Sequence, residues 1–294
     1  MARIQWVKPR FILMIGAGIG LLGVGLPIVL SALSMLLLLN QTCRSYLTTD
    51  VMDADTPQWV EFKAGHLTRN AAFYPSSSRA AVIIAPGHSS HASLDEDYAR
   101  MFVAHGLNVL VINSRRCDDA RQTLGYLEGA DVQAAYEYLA GRSDIDPERV
   151  SVHGFSAAGA AALFGAAQTP NLRAVSAMGN YHDMTQAFSP NAYWEYPIHW
   201  GVRFGFWMGT GQSIERLKPI EVIDDITPRP ILFVYGSDEP ALEGGKAMAE
   251  RAEPYGDLWI VPNAGHGDYW LYSVEEVSKR LGGFHAKYLL NEDT

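Results

Sequence analysis

Cysteine is nearly absent: Cys43 and Cys117 are the only two in 294 residues. Two are too few for a disulfide scaffold and wrongly spaced for a structural zinc site, so both classes fall away, while a single bridge between them stays open. Positive charge is also scarce. Lys and Arg number 23 against 32 Asp and Glu, a formal net charge of −9, so no basic stripe exists to displace counterions from phosphates and a nucleic-acid partner is excluded. Charged residues make up only 19% of the chain and hydrophobic residues 48%, which argues against disorder and leaves enough apolar surface for a full α/β core. The acids of Asp144-Ile145-Asp146-Pro147-Glu148 lack the spaced ligands of a calcium loop. They read instead as a turn in which Asp146 caps the residues begun by Pro147.

Charge is missing altogether from Phe11 to Leu39. As a helix this run of about 29 residues would reach about 43 Å, against about 30 Å of bilayer hydrocarbon, so a tilted transmembrane helix over 11–39 is expected. A cleaved signal peptide has a shorter apolar region and a small-residue cleavage site, for which Ser31-Ala32-Leu33 is a poor match. Arg3, Lys8 and Arg10 precede the run, whereas Arg44 and then Asp50, Asp53 and Asp55 follow it. The positive-inside bias therefore puts residues 1–10 in the cytoplasm and the rest of the chain outside it. Gly18-Ile19-Gly20-Leu21-Leu22-Gly23 formally matches a dinucleotide fingerprint, but no strand precedes it. Residues 40–56 read as an acidic linker.

From residue 57 onward, short apolar runs alternate with helical patterns. Gln58 to Ala64 and Leu67 to Tyr74 form a hairpin. Buried strands are expected at Ala80–Ala85, Asn108–Asn113, Val150–His153, Leu172–Met178, Ile231–Tyr235 and Leu258–Val261. Helices are expected at Leu94–His105, Gly125–Ala140, Ala157–Ala167, Leu242–Ala252 and Val274–Leu289. This alternation predicts a doubly wound, mostly parallel α/β sheet over 57–294, with ligands beyond the carboxyl ends of the strands. An insertion at about 180–227 breaks the rhythm and is rich in aromatics, Tyr181, Phe188, Trp194, Trp200 and Trp207 among them. It reads as a cap or pocket lining, with packed core and contact with the bilayer interface as alternatives.

Three polar stops follow three buried strands. Ser156 stands in Gly154-Phe155-Ser156-Ala157-Ala158-Gly159, where a strand turns sharply into an Ala-rich helix as a nucleophile elbow requires. Ala158 occupies a position that is usually glycine. An acid pair, Asp238 and Glu239, follows the strand that ends at Gly236, and His266 lies between two glycines after the last strand. A serine hydroxyl needs a base to take its proton, and the base needs a carboxylate to fix its tautomer. An oxyanion hole would come from the backbone N–H of Ala157 and that of His88 after Pro86-Gly87, with Ser89 as the alternate.

These features together resemble the α/β-hydrolase superfamily, in particular its Bem46-like and dienelactone-hydrolase-like members. The carriers are Pro86-Gly87-His88, Thr123-Leu124-Gly125-Tyr126 with Asp131, Gly154-Phe155-Ser156 and Gly265-His266-Gly267. The usual His-Gly of the oxyanion loop reads Pro-Gly here, and the usual Arg-Gly-x-Gly reads Arg115-Arg116-Cys117-Asp118. The resemblance implies a Ser156–acid–His266 triad. Asp238 is the commoner chemical type for the acid, while counting three residues from Gly236 selects Glu239 as the alternative. The expectation is a membrane-anchored serine hydrolase acting on a small or lipid-like ester, with no metal and no organic cofactor. A non-catalytic binding domain, or a peptidase or acyltransferase using the same triad, is the alternative.

Overall fold

Short runs of β-branched and aliphatic residues, apolar on both faces, are satisfied inside a covered parallel sheet, and the sheet is built around them. In the computed structural model the described residues are 21–44, 57–187, 192–272 and 274–291. Among these residues the strands are β1 (Gln58–Ala64), β2 (Leu67–Tyr74), β3 (Ala81–Ile84), β4 (Asn108–Ile112), β5 (Val150–Phe155), β6 (Val175–Met178), β7 (Ile231–Gly236) and β8 (Gly256–Val261). They form one sheet in the order β1-β2-β4-β3-β5-β6-β7-β8. The β1–β2 and β2–β4 pairs are antiparallel and the others parallel.

The labelled helices are α1 (Leu26–Leu39), α2 (Glu96–Ala104), α3 (Glu128–Ala140), α4 (Ala157–Gln168), α5 (Tyr196–Thr210), α6 (Leu242–Arg251) and α7 (Gly283–Leu290). One face of the sheet packs on α3, α4 and α6 through Val132, Leu139, Leu163 and Met248. The other packs on α2 and the carboxyl-terminal helices through Phe102, Leu107, Leu281 and Leu289. This is the α/β-hydrolase fold.

Element ends differ from expectation for local reasons. The helix expected from Gly125 starts at Glu128 because the Glu128 carboxylate accepts from the Thr123 and Gly125 amides and the Thr123 hydroxyl, closing that stretch as a turn. The carboxyl-terminal helix is interrupted by a π-turn at Ser278–Gly282. The strand expected from Leu172 begins at Val175.

The loop after β4 is structural. Arg115 pairs with the fully buried Asp131 at 2.7 Å, Arg69 is shared between Asp118 and Asp131, and Cys117 is bonded to Cys43. Residues 41–44 are therefore not a free linker. The Arg44 amide donates to the Ser89 carbonyl at 2.8 Å, the His91 amide to the Arg44 carbonyl at 2.9 Å, and the disulfide fixes Cys43. Residues 45–56 lie outside the described residues, as do the expected cytoplasmic stretch 1–10, the span as far as residue 20, and Phe188.

The chain divides into two compact units: 1–40 with 185–214, and 41–184 with 215–294. The central part of the insertion thus groups with the apolar amino-terminal segment and not with the sheet. In the first unit α1 and α5 pack side by side. Trp194, Trp200 and Trp207 are exposed, so packed core does not describe them. No helix among the described residues is long and apolar enough to cross a membrane.

Candidate active site

Ser156 occupies the sharp turn between β5 and α4 with φ 57° and ψ −122°, a strained conformation for a residue with a side chain. The turn is possible because of Gly154: a Cβ there would lie 2.1 Å from the Ala158 carbonyl oxygen. Ala158 itself is buried without such a clash, so its departure from glycine costs the elbow nothing visible. The Ser156 amide is held by the Met178 carbonyl at 2.8 Å, which ties the elbow to the end of β6.

His266 comes from the loop after β8, and its Nε2 lies 3.1 Å from Ser156 Oγ. Its Nδ1 lies 2.6 Å from Glu239 Oε1. The carboxylate that meets the histidine is therefore Glu239, and the preference for Asp238 is corrected. The turn after β7 decides this: the Glu239 amide bonds the Gly236 carbonyl and the Asp238 amide bonds the Ala264 carbonyl. That geometry buries Glu239, whereas the Asp238 side chain is exposed and accepts from Ser237 Oγ at 2.9 Å.

Glu239 has further partners. Its Oε2 accepts from the Tyr269 hydroxyl and from the Gly236 amide at 3.1 Å. Burial pushes the Glu239 carboxyl up, but the hydrogen bonds from His266, Tyr269 and Gly236, with the attraction to His266, outweigh burial and hold it below its ordinary value. Burial and the neighbouring Glu239 together push the Tyr269 phenol up, so it serves as a donor. The Phe155 ring lies against His266, tilted by 30° with centroids 4.9 Å apart. Sequence reasoning missed Tyr269, three residues after His266, because an aromatic in a short amphipathic turn carries no signal of a polar contact.

A cleft of about 470 Å³ opens over Ser156, lined by His88, Ala157, His266 and Trp270 among others. Ala157 and His88 thus face the cleft with the serine. Ser89 is buried at φ 55°, and its amide donates to Gln122 Oε1 at 3.1 Å, so the alternate donor is directed away. Arg44 also lines the cleft, and its guanidinium donates to the His88 carbonyl at 3.1 Å. Asp95 lines it as well, with burial pushing its carboxyl up to about 7. Neither was anticipated from the sequence.

Two histidines outside the cleft, His153 and His285, are fully buried. His153 Nδ1 and His285 Nε2 share the Ser176 hydroxyl, and burial pushes His153 down to about 3 and His285 well down. They are neutral core groups that bind the carboxyl-terminal helix to β5 and β6. No group of three or more His, Cys, Asp or Glu able to hold a metal occurs among the described residues.

Comparison with known proteins agrees with the fold. Ser156, Glu239 and His266 lie beyond the carboxyl ends of three parallel strands, β5, β7 and β8. Residues 54–191 match a family model described as PET hydrolase-like. An uncharacterized protein of Mycobacterium tuberculosis, Rv2307c, is 27% identical over 193 residues, 64% of this chain. The match spans 63% of that relative's own length.

Among solved structures, the esterase Pf2001 of Pyrococcus furiosus is similar with a TM-score of 0.64 at 18% identity, covering 85% of this chain and 98% of that one. Dienelactone hydrolase of Anabaena variabilis gives 0.58 at 19% identity, covering 80% and 98%. The α/β hydrolase GrgF of a Penicillium species gives 0.63 at 17% identity, covering 80% and 99%.

Proposed function

We propose that the protein is a serine hydrolase that cleaves carboxylic esters through a Ser156–His266–Glu239 triad. The observation that carries this is the unbroken hydrogen-bonded relay from Ser156 Oγ through both ring nitrogens of His266 to Glu239. Ser156 Oγ attacks the ester carbonyl while His266 Nε2 takes its proton. Glu239 accepts from Nδ1–H, which fixes the tautomer and stabilises the imidazolium. The Ala157 N–H, at the positive end of α4, and the His88 N–H receive the developing oxyanion. His266 then protonates the leaving alcohol, and water activated by the same ring releases the acid from Ser156. The likeness to an esterase and to a dienelactone hydrolase supports an ester as substrate.

The cleft favours a small or lipid-like ester, with Phe155 and Trp270 supplying apolar walls. The charge-free amino-terminal run supports membrane anchoring, with residues 1–10 cytoplasmic and the hydrolase unit outside. The Cys43–Cys117 disulfide supports the same side, because such bridges persist in oxidising compartments. A fluorophosphonate probe tests the enzyme: wild type labels and Ser156→Ala does not. A folded wild type that never labels would instead be a binding domain. Protease protection in sealed vesicles tests the side of the membrane, and cleavage only from the cytoplasmic face would reverse the orientation.

A further inference from the structure

The helix pair of the amino-terminal unit is apolar on its outside. α5 meets α1 along a line of three glycines. A Cβ at Gly201 would lie 2.0 Å from Ser31 Oγ and 2.3 Å from the Ile28 carbonyl oxygen. One at Gly205 would lie 2.5 Å from the Ala32 carbonyl oxygen, and one at Gly209 would lie 2.8 Å from Leu39 Cδ1. The contacts advance together along both helices, which therefore run parallel with their backbones in close approach. This is the packing that small residues permit when apolar burial from water does not drive association.

The side chains turned outward are those expected inside a globule. On α1, Leu26, Val29, Leu30, Leu33 and Leu37 are exposed, Leu37 at 69%, and the 3.6-residue period sets them opposite the face that meets α5. On α5, Tyr196, Trp200, Phe204 and Trp207 recur at spacings of four, four and three and are also exposed, Trp207 at 56%. No charged residue lies in either stripe. The two ionisable groups of α5, Arg203 and His199, bond each other on a separate sector of the helix. Apolar patches of this extent mark a contact surface.

The two stripes point to different sides of the pair, so a single protein partner or a second copy, seated on one side, would leave the other wet. Acyl chains surround both. At 15 residues α5 is about 23 Å long, short of the hydrocarbon thickness of about 30 Å, so it need not cross the bilayer to lie among the acyl chains. Tryptophan and tyrosine suit the boundary between acyl chains and headgroups.

We propose that α5, an insertion of the hydrolase chain between β6 and β7, is a second membrane element that embeds with α1 among the acyl chains of a phospholipid bilayer. This extends the reading of the amino-terminal run as an anchor, and the test separates the two. The full chain is reconstituted in phosphatidylcholine vesicles with ordinary or brominated acyl chains, and vesicle flotation and tryptophan emission are measured for wild type and for Trp200→Phe/Trp207→Phe. Both rings are exposed, so the substitutions leave the packing intact, and circular dichroism checks it.

Brominated lipid is expected to quench wild-type emission, and the double variant is expected to lose most of that quenching while still floating. Flotation with equal bromolipid quenching in the two proteins would leave the anchor standing and overturn the role of α5. Failure to float would overturn both readings. Self-association with Trp200 and Trp207 shielded from both brominated lipid and aqueous iodide would replace the bilayer with a second copy and also overturn the proposal.

Discussion

Replacing Glu239 with glutamine, and separately Asp238 with asparagine, isolates the residue that orients His266. Glu239 Oε1 sits 2.6 Å from His266 Nδ1, and its other oxygen is taken by Tyr269 and the Gly236 amide. In Glu239→Gln the new side-chain amide would keep the shape but could offer N–H to Nδ1, favouring the tautomer whose Nε2 already carries a proton and cannot accept one from Ser156. The substitution would also remove the negative charge that stabilises the imidazolium. Triads altered in this way lose about 10³- to 10⁴-fold in turnover, equivalent to about 4 to 5.5 kcal/mol of transition-state stabilisation. Asp238→Asn changes an exposed group bonded to Ser237, so kcat/KM should stay within about threefold of wild type.

The assay is hydrolysis of a short-chain aryl ester at neutral pH, with the rate of fluorophosphonate labelling as a second readout. A larger loss in Asp238→Asn than in Glu239→Gln, or near-normal turnover in both, would refute the assignment. Stability gives a separate check with a defined sign. The folded carboxyl is held below its ordinary value of 4.5, so its contribution is fully present above that value and is lost as pH falls through the lower, folded value. The difference in melting temperature between wild type and Glu239→Gln should be largest near neutral pH and should shrink on acidification below about 4.5.

Further outcomes follow from the same geometry. Tyr269→Phe removes a donor to a buried carboxylate, a bond worth about 1.5 to 3 kcal/mol. The carboxylate then holds the imidazolium proton more tightly, so kcat/KM should fall and its acid limb should move to higher pH; an unchanged limb would limit Tyr269 to packing. Gly154→Ala forces a Cβ against the Ala158 carbonyl, so probe labelling should be lost even where circular dichroism reports a folded chain, and retained labelling would contradict the elbow. Cys43→Ser opens a bridge across 74 residues, which loop entropy values at up to about 4.5 kcal/mol, so the urea midpoint should drop. A midpoint insensitive to both Cys43→Ser and reductant would mean that the bridge does not form.

The frame of the site is legible in the chain because strand-forming runs and their polar stops are local patterns. Val150–His153 and Ile231–Tyr235 announce buried strands, whereas Leu258–Val261, expected to be buried as well, lies in the partly exposed edge strand β8; Ser156, the acid pair and His266 stand in the turns after them. Choosing within Asp238-Glu239 was beyond the sequence. Both are polar loop residues, and which one turns inward depends on backbone bonds to Gly236 and to the distant Ala264. Tyr269 was hidden for a related reason, since its ring reads as core while only its hydroxyl meets Glu239.

Composition determined the poverty in cysteine and basic residues, and the order of residues determined the charge-free amino-terminal run and the alternation that yields a doubly wound sheet. Tertiary structure alone decided that Cys43 meets Cys117, that Arg115 and Asp118 are spent on a buried ion network with Arg69 and Asp131, and that Gly201, Gly205 and Gly209 face α1. Each of these joins segments tens of residues apart. Hydrophobic period and turn chemistry act over a few residues and can form an element, but which elements meet is fixed by packing the whole chain at once.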